Sequence, residues 1–357
     1  MFATTITAIS AEKLDLPLHE PFTIASGAQH YAANVLVKIK LADGTEGLGE
    51  AAPFPAVSGE TQDSTLDALK HLTPSLLERD VRTWRRLSSV INTEAHAAAA
   101  ARCALEMAVI DALCKHYQMP LWAFFGGFNS QLETDMTITS GDEAHAARSA
   151  QAILARGIKT IKIKTAGVDI DFDLARLQAI HAVAPHMPLI VDGNCGYNAD
   201  RALQFVERLR QHSIDLILFE QPLPRDDWDG MARVTRESGV LIAADESARS
   251  AADVLRIASE GTANVINIKL MKAGVAEALR MIAIAKASRL GLMIGGMVES
   301  ILAMTFSAHL AAGTGGFQFV DLDTPMFITD HPFIGGFMQT GGTLTLSDAP
   351  GHGVTLK

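Results

Sequence analysis

The sequence predicts an α/β protein, a (β/α)7β TIM-like barrel carrying a smaller α+β capping domain. From residue 132 onwards, eight strand-like runs alternate with helix-like stretches at a spacing of about 25 residues, which is typical of a closed barrel. Charged residues close five successive runs, and this places a functional site at one end of the barrel. With 357 residues, the chain is long enough for one large and one small domain.

The barrel prediction depends on the eight strand-like runs. In chain order they read DMTIT, TIKIK, PLIVD, LILFE, LIAAD, VINIK, LMIG and FQFVD. Stretches such as DEAHAARSAQAILARG, which lie between them, show helical spacing of apolar residues. An open, doubly wound sheet is the competing fold. It is disfavoured because functional residues close so many runs and no glycine-rich phosphate loop follows an early strand.

The first 125 residues have a different pattern. ITAISAEKLDLPL and NVLVKIKLADGTEGLGEAA alternate polar and apolar residues and contain a DG turn, which indicates antiparallel strands, and a helix-like alanine-rich stretch follows. We predict a capping domain over residues 1–125, a barrel over 126–325, and a tail over 326–357 that returns to the capping domain.

Composition limits the partners and the compartment. A formal net charge of -10 argues against nucleic acid or an anionic membrane as the main partner. Three scattered cysteines fit a reducing compartment, and neither a signal peptide nor a membrane-spanning run is visible in the sequence. We therefore expect a cytoplasmic protein.

Three acidic residues close the third, fourth and fifth strands. Asp192, Glu220 and Asp245 would be neighbours on the barrel rim, where three carboxylates repel one another unless a cation joins them. Oxygen ligands in this number suit Mg²⁺, with Mn²⁺ as a possible substitute. The alternative is that each acid caps the helix after its strand.

Two lysines close strands that lie opposite each other in a ring of eight. Lys164 ends strand two and Lys269 ends strand six, so their amines could remove a proton from one face of a carbon and return one to the other. One amine must then have a lowered pKa, and Lys162 could lower it or could hold a substrate carboxylate. A carboxylate bound to Mg²⁺ would accept the charge of the enediolate formed. The alternative is that these lysines lie on the surface near turns.

These residues resemble the enolase superfamily, in the muconate-lactonizing subgroup to which mandelate racemase is related. The matching pieces are KIK at 162–164, VDGN at 191–194, FEQP at 219–222, ADES at 244–247 and NIKLMKAG at 267–274. The resemblance covers nearly the whole chain and implies one Mg²⁺ per subunit and a homo-oligomer. It also implies these roles: Asp192, Glu220 and Asp245 as metal ligands, Lys164 and Lys269 as the acid/base pair, Lys162 at the substrate carboxylate, and Asn194 and Glu246 behind the ligands.

The eighth strand narrows the resemblance to dipeptide epimerases. VDLDTP places Asp321 and Asp323 on one face, and in those enzymes such a DxD holds the free α-ammonium of the substrate. Two carboxylates aimed at a pocket require a cation, although both could instead be strand-end caps. The resemblance thus implies an isomerase that epimerises the α carbon of the C-terminal residue of an Xaa–Xaa dipeptide.

One departure bears on the substrate. Relatives that act on alanyl-glutamate usually carry an Arg in the loop after PF, where this chain has Ser26 and Gly27. The second capping loop, GEAAPFPAVSGET, contains neither Arg nor Lys. We therefore predict a hydrophobic, small or cationic dipeptide rather than Ala-Glu. The apolar residues of that loop, Phe54, Pro55 and Val57, favour a hydrophobic substrate. Its acidic residues, Glu50 and Glu60, leave a cationic substrate open.

Other functions share the same five charged residues. An N-acylamino acid racemase, an o-succinylbenzoate synthase or a muconate cycloisomerase-like enzyme would use them without an ammonium-binding DxD. A third possibility is a non-catalytic barrel that serves as a metal-dependent ligand-binding protein or as a scaffold, but binding alone does not require two opposed lysines.

Overall fold

A small antiparallel sheet and five helices form the N-terminal part of the protein. The computed structural model describes residues 2–24, 27–139 and 141–357. Strands β1 (Ile6–Ile24), β2 (Gly27–Leu41) and β3 (Glu46–Ala51) pair in that order. The helices that follow are α1 (Pro55–Ser58), α2 (Gln62–Leu76), α3 (Trp84–Glu94), α4 (Ala99–His116) and α5 (Leu121–Phe124), and a short 3₁₀ helix spans Val81–Thr83.

Small residues let helix α4 lie against strand β3. A Cβ atom on Gly47 would lie 2.1 Å from the carbonyl oxygen of Ala108, and one on Gly49 would lie 2.0 Å from that of Ala104. Both distances are far shorter than a van der Waals contact, so only glycine permits this approach. As a result, α4 is buried along almost its whole length.

Eight parallel strands form the second sheet, in the order in which they occur along the chain. The backbone N–H of Asp135 donates to the carbonyl of Val320 at 2.9 Å and so joins the first of these strands to the last. The structure therefore confirms the predicted barrel fold and its eight strands. The strands are β5 (Met136–Ile138), β6 (Ile161–Lys164), β7 (Leu189–Asp192), β8 (Leu216–Glu220), β9 (Ile242–Ala244), β10 (Val265–Ile268), β11 (Gly291–Ile294) and β12 (Phe317–Val320), preceded by β4 (Gln131–Glu133) outside the barrel.

Seven long helices connect the barrel strands, as the (β/α)7β pattern requires. They are α6 (Glu143–Ala155), α7 (Ile170–Val183), α8 (Ala199–Gln211), α9 (Trp228–Glu237), α10 (Ala251–Glu260), α12 (Val275–Ala287) and α13 (Ile301–Thr314), and the one-turn helix α11 (Leu270–Ala273) precedes α12. Side chains of Asp, Asn or Ser cap six of the seven at their N-termini, which fixes where each loop ends. In the parts of the chain that the structure describes, none of the helices has the length and apolar character needed to cross a membrane.

The C-terminal tail forms short strands that contact both parts of the molecule. After a 3₁₀ helix at Thr324–Phe327 come β13 (Phe333–Gly335), β14 (Met338–Thr340), β15 (Thr343–Thr345) and β16 (Val354–Leu356). Strand β15 pairs with β4, and bridges join Ile328 to Leu18 and Gly351 to Pro120. The boundaries at residues 125/126 and 325/326 stay predictions.

A buried carboxylate joins the N-terminal sheet to the barrel. Glu50, at the end of β3, accepts hydrogen bonds from the backbone N–H groups of Ser300 and Ala303, in the first turn of α13. Asn34 donates to Glu50 at 2.7 Å and to the carbonyl of Val298 at 2.9 Å. The loop that carries Phe54 follows β3 directly, so this contact places the loop beside the barrel mouth.

Candidate active site

Strand register brings the predicted residues to one level of the barrel. Lys164 on β6 is paired with Asp192 on β7, and Asp192 is paired with Glu220 on β8. Glu220 is paired with Ala243, two residues before Asp245. Because parallel strands end at the same edge of a barrel, these side chains meet at its mouth.

Lys162 lies beneath this level and reaches up into it. Its ammonium is 2.6 Å from Glu220 Oε2, 2.7 Å from Asp321 Oδ2 and 3.3 Å from Asp192 Oδ2. The side chain is 1% exposed. Lys164 Nζ lies 2.9 Å from Asp192 Oδ2, so Asp192 contacts two lysines.

Two lysines also contact Asp245, which lies two strands further round the mouth from Asp192. Lys269 Nζ is 2.6 Å from Asp245 Oδ2. Lys272, on α11, donates to the other carboxylate oxygen and the main-chain carbonyl of Asp245, and to the carbonyl of Asn267 at 3.1 Å. Sequence reasoning missed Lys272, although its position three residues after Lys269, one helical turn away, was a usable signal.

These contacts set the charge states at the mouth. Burial alone would raise the pKa values of Asp192 and Asp245, but the adjacent ammonium groups hold both below the ordinary range. Burial and the Asp192 charge raise the pKa of Glu220. Burial would lower the pKa of Lys269, but Asp245 and Glu220 raise it above its ordinary value.

The donor set fits a divalent cation. In the described part of the mouth, seven buried or half-buried carboxyl groups face four lysines, and such an excess favours a bound cation. The seven are Asp135, Asp192, Glu220, Asp245, Glu246, Asp321 and Asp323; the four are Lys162, Lys164, Lys269 and Lys272. Carboxylate oxygens are the ligands that Mg²⁺ prefers. Asp192, Glu220 and Asp245, on three adjacent strands, are the residues that would hold it.

A second acidic cluster lies where the start of the first barrel strand meets the end of the last one. Among the described residues, carboxylate oxygens of Asp135, Asp321 and Asp323 all lie within 4.8 Å of one another. Asp323 accepts from the backbone N–H of Thr137 at 2.6 Å. Burial, together with the charge of Asp321, raises the pKa of Asp323 to about 7 and that of Asp135 well above its ordinary value. Sequence reasoning missed Asp135, which opens the first strand-like run.

Asn194 and Glu246 lie close to the predicted metal ligands, and their supporting role stays a prediction. The backbone N–H of Asn194 donates to Asp192 Oδ1 at 3.1 Å. Burial and the charges of Asp245 and Asp192 raise the pKa of Glu246 to about 8. Gln221 was missed. Its side-chain oxygen accepts from Asp245 N at 2.9 Å and Ser247 N at 3.1 Å, which links the ends of β8 and β9.

The two opposed lysines line one cavity beneath the capping loop. Lys164 and Lys269 follow strands four positions apart in the ring, and both reach this cavity. The cavity is lined by Phe54, Val57, Thr137, Lys164, Asn194, Asp245, Glu246, Lys269, Gly296, Met297, Asp321, Asp323 and Thr324. Gly295 provides room nearby, because a Cβ on it would lie 3.2 Å from Lys269 Cε and 2.9 Å from Asn267 Oδ1.

Of the capping-loop residues considered in the sequence, Phe54 and Val57 are the two in this lining. Glu50 is bound to α13, and the carboxylate of Glu60 accepts from the backbone N–H of Ala100 at 3.1 Å. The prediction that no Arg stands at Ser26 and Gly27 to bind an acidic side chain concerns a loop whose side chains lie outside the part that the structure describes.

Family models match both parts of the chain. Residues 5–126 match the mandelate racemase / muconate lactonizing enzyme N-terminal domain, and residues 145–357 match the enolase C-terminal domain-like family. The chain belongs to the mandelate racemase / muconate lactonizing enzyme family. This membership confirms the enolase-superfamily resemblance on which the predicted site residues depend.

Known members of the mandelate racemase / muconate lactonizing enzyme family resemble the chain over its full length. An "Aromatic dipeptide epimerase" from Herpetosiphon aurantiacus is 71% identical over 353 residues, 99% of each chain. A crystal structure of a mandelate racemase/muconate lactonizing protein from the same organism is 70% identical, with a TM-score of 0.99 and full coverage of both chains. A dipeptide epimerase from Enterococcus faecalis, solved with Mg and L-Leu-L-Tyr, is 31% identical, with a TM-score of 0.95 over 98% of this chain and 99% of that one.

These relatives confirm the predictions of an isomerase and of a barrel with a cap. The individual roles assigned to the lysines and carboxylates stay predictions that the geometry above makes specific.

Proposed function

We propose that this protein is a Mg²⁺-dependent dipeptide epimerase that inverts the α carbon of the C-terminal residue of a hydrophobic dipeptide. The observation that carries the proposal is the position of Lys164 and Lys269, which follow opposite barrel strands and line one cavity together with Asp321 and Asp323. The cavity thus combines two opposed bases with a pair of carboxylates.

The two lysines would act on opposite faces of the α carbon. One neutral amine removes the α-proton, and the other, as an ammonium, delivers a proton from the far side. Because the pair is symmetric in chemistry, the same two residues serve both epimers with their roles exchanged.

Asp192, Glu220 and Asp245 would hold Mg²⁺, and Mn²⁺ is the expected substitute. When bound, the cation supplies electrostatic stabilisation of the negative charge that develops on the substrate carboxylate. Lys162, in contact with Glu220 and Asp192, adds a positive charge at the same place.

Asp323 and Asp321 would bind the free α-ammonium of the dipeptide. Both carboxylates line the cavity, and burial together with the charge of Asp321 raises the pKa of Asp323 to about 7. An ammonium group placed between them would neutralise this repulsion. An N-acylated substrate lacks that charge, which favours a dipeptide over an N-acylamino acid.

The cap favours a hydrophobic side chain over a cationic one. Phe54 and Val57 line the cavity with Met297, whereas Glu50 and Glu60 are bound elsewhere. Glu50 and Glu60 were the two acids that could have bound a cationic side chain, and neither of them lines the cavity. The activity named for the 71% identical relative, on aromatic dipeptides, supports the same choice.

The first experiment is a screen for deuterium uptake. Mixtures of L,L-dipeptides are incubated with the protein and Mg²⁺ in D₂O and analysed by mass spectrometry. We expect a mass gain of about one unit in hydrophobic dipeptides, and replacement of both Lys164 and Lys269 by Ala should abolish it. Failure of every dipeptide to exchange, with exchange of N-acylamino acids instead, would overturn the proposal in favour of a racemase.

A second experiment tests the side-chain preference. We expect kcat/KM for L-Ala-L-Phe to exceed that for L-Ala-L-Glu by about a hundredfold, because an unpaired carboxylate in an apolar site loses its hydration. A preference for L-Ala-L-Glu, or for a Lys or Arg dipeptide, would contradict this part of the proposal. A cytoplasmic location and a homo-oligomer also stay predictions; cell fractionation and light scattering would test them.

A further inference from the structure

A second cavity lies beside the catalytic cavity, between the cap and the barrel. Its volume is about 290 Å³, near the lower end of small-molecule sites. Phe54 and Met297 line both cavities and therefore form the wall between them. The remaining lining comes from the cap loop, the start of α4, the loop after β9 and helix α11.

Two arginines give this cavity positive charge. Arg102 on α4 is 8% exposed, and among the described residues its Nε has no hydrogen-bond partner. Its Nη1 is bonded to Asn92. Arg249, after β9, is half-buried, and its backbone N–H is bound to Asp253, but within the described chain its guanidinium makes no hydrogen bond or ion pair.

The negative charge in the lining is smaller. Glu60 is the acid that lines the cavity, and one of its oxygens is bound to Ala100 N, in the first turn of α4. Burial raises the pKa of Glu60, while Arg102 and Arg249 act in the opposite direction. Lys272 also lines the cavity, but its ammonium is bound to Asp245. One carboxylate therefore faces two guanidinium groups, and one positive charge lacks a counter-charge.

We propose that this cavity is a binding site for the oxyanion of a small molecule, a carboxylate or a phosphate group. Guanidinium groups match the planar arrangement of oxyanion oxygens, and charge-assisted hydrogen bonds of this kind are among the stronger polar contacts. The guanidinium groups of Arg102 and Arg249, which both line the cavity, are the donors. The site is separate from the substrate cavity and does not depend on the proposed reaction.

The test is a ³¹P NMR titration of inorganic phosphate with the full-length protein at constant ionic strength. Wild-type protein should bind phosphate saturably. Arg249→Gln should weaken binding by about tenfold, the size expected for one charge-assisted hydrogen bond. Arg148→Gln, a change to an exposed arginine on α6, should leave binding unchanged.

A second variant makes the test independent of how well Arg249→Gln folds. Glu60→Gln removes the carboxylate from the lining and keeps an acceptor for Ala100 N–H, so phosphate should bind more tightly. Displacement of phosphate by succinate at equal concentration would identify a carboxylate ligand, and no displacement a phosphate ligand. Equal binding in wild type, Arg249→Gln and Glu60→Gln, or no saturable binding of either probe, would overturn the proposal.

Discussion

The floor and the mouth of the barrel differ in chemistry although they lie on the same strands and the same face. Ile190, Leu218 and Ala243 belong to a buried apolar cluster inside the barrel. Two residues further on, Asp192, Glu220 and Asp245 point to the same side of their strands, because side chains alternate with a period of two. One alternation step thus separates an apolar core from a charged site.

The difference shows how the barrel divides stability from function. The floor packs apolar side chains against one another, which stabilises the fold. The mouth holds buried carboxylates and lysines, an arrangement that costs desolvation energy, which the close lysine–carboxylate pairs offset in part. Lys162 links the two layers: it pairs with Ile190 in the strand register but binds Glu220 above.

The largest effect is expected on removal of one of the two bases. Lys164→Ala and Lys269→Ala should each lower epimerisation by about a thousandfold, because general acid–base catalysis supplies a factor of this order. Both proteins should remain folded, since Asp192 keeps Lys162 and Asp245 keeps Lys272 as partners. The measurement is kcat for each epimer, with melting curves as the control. Activity within tenfold of wild type in either variant, about 1.4 kcal/mol, would contradict the base assignment.

At the floor of the barrel, a large effect on stability rather than on activity is expected. Leu218→Ala should reduce the free energy of unfolding by about 3 kcal/mol, because it leaves a cavity in a fully buried cluster. Urea unfolding measures this loss. Leu255→Ala, at a position 60% exposed, is the matched control and should change stability little. Similar losses in both variants would mean that the floor is not the stabilising layer.

A moderate effect is expected at the ammonium site. Asp323→Asn keeps an acceptor for Thr137 N–H but removes the charge, so KM for a free dipeptide should rise by about thirtyfold. Asp323 is a cleaner target than Asp321, which is bound to Lys162. N-acetylated dipeptides lack the ammonium and provide the control. If the variant affected both substrates equally, Asp323 would have no role in ammonium binding.

The smallest effect concerns a buried acid next to the mouth. Burial raises the pKa of Glu299 to about 8 from an ordinary value of 4.5, and among the described residues its Oε2 has no hydrogen-bond partner. Between about pH 4.5 and pH 8, Glu299 therefore keeps its proton in the folded protein but has lost it in the unfolded chain. The stability that this proton provides is complete below pH 4.5 and is lost as the pH rises through about 8.

Glu299→Gln removes this titration. Between about pH 6 and pH 9, wild-type protein should lose on the order of 2 kcal/mol more unfolding free energy than the variant. Urea unfolding at the two pH values measures the difference. Parallel losses in both proteins would show that Glu299 is already ionised at the lower pH.

Strand-end residues made much of the site predictable. Eight alternating runs predict the barrel, and equal spacing along parallel strands brings Lys164, Asp192 and Glu220 to one level, as the register shows. Asp135 and Gln221 could not be assigned in the same way. Their roles depend on which atoms they meet across the barrel, and a local pattern does not encode those contacts.

The sequence by itself determined the fold, the strand order and the charged residues that close the strands, because alternation and spacing are local properties of the chain. Only the tertiary structure decided that Glu50 and Glu60 are bound away from the substrate cavity and that Arg102 and Arg249 meet in a second one. Arg102 and Arg249 are 147 residues apart, and it is the packing of the cap on the barrel that brings them together.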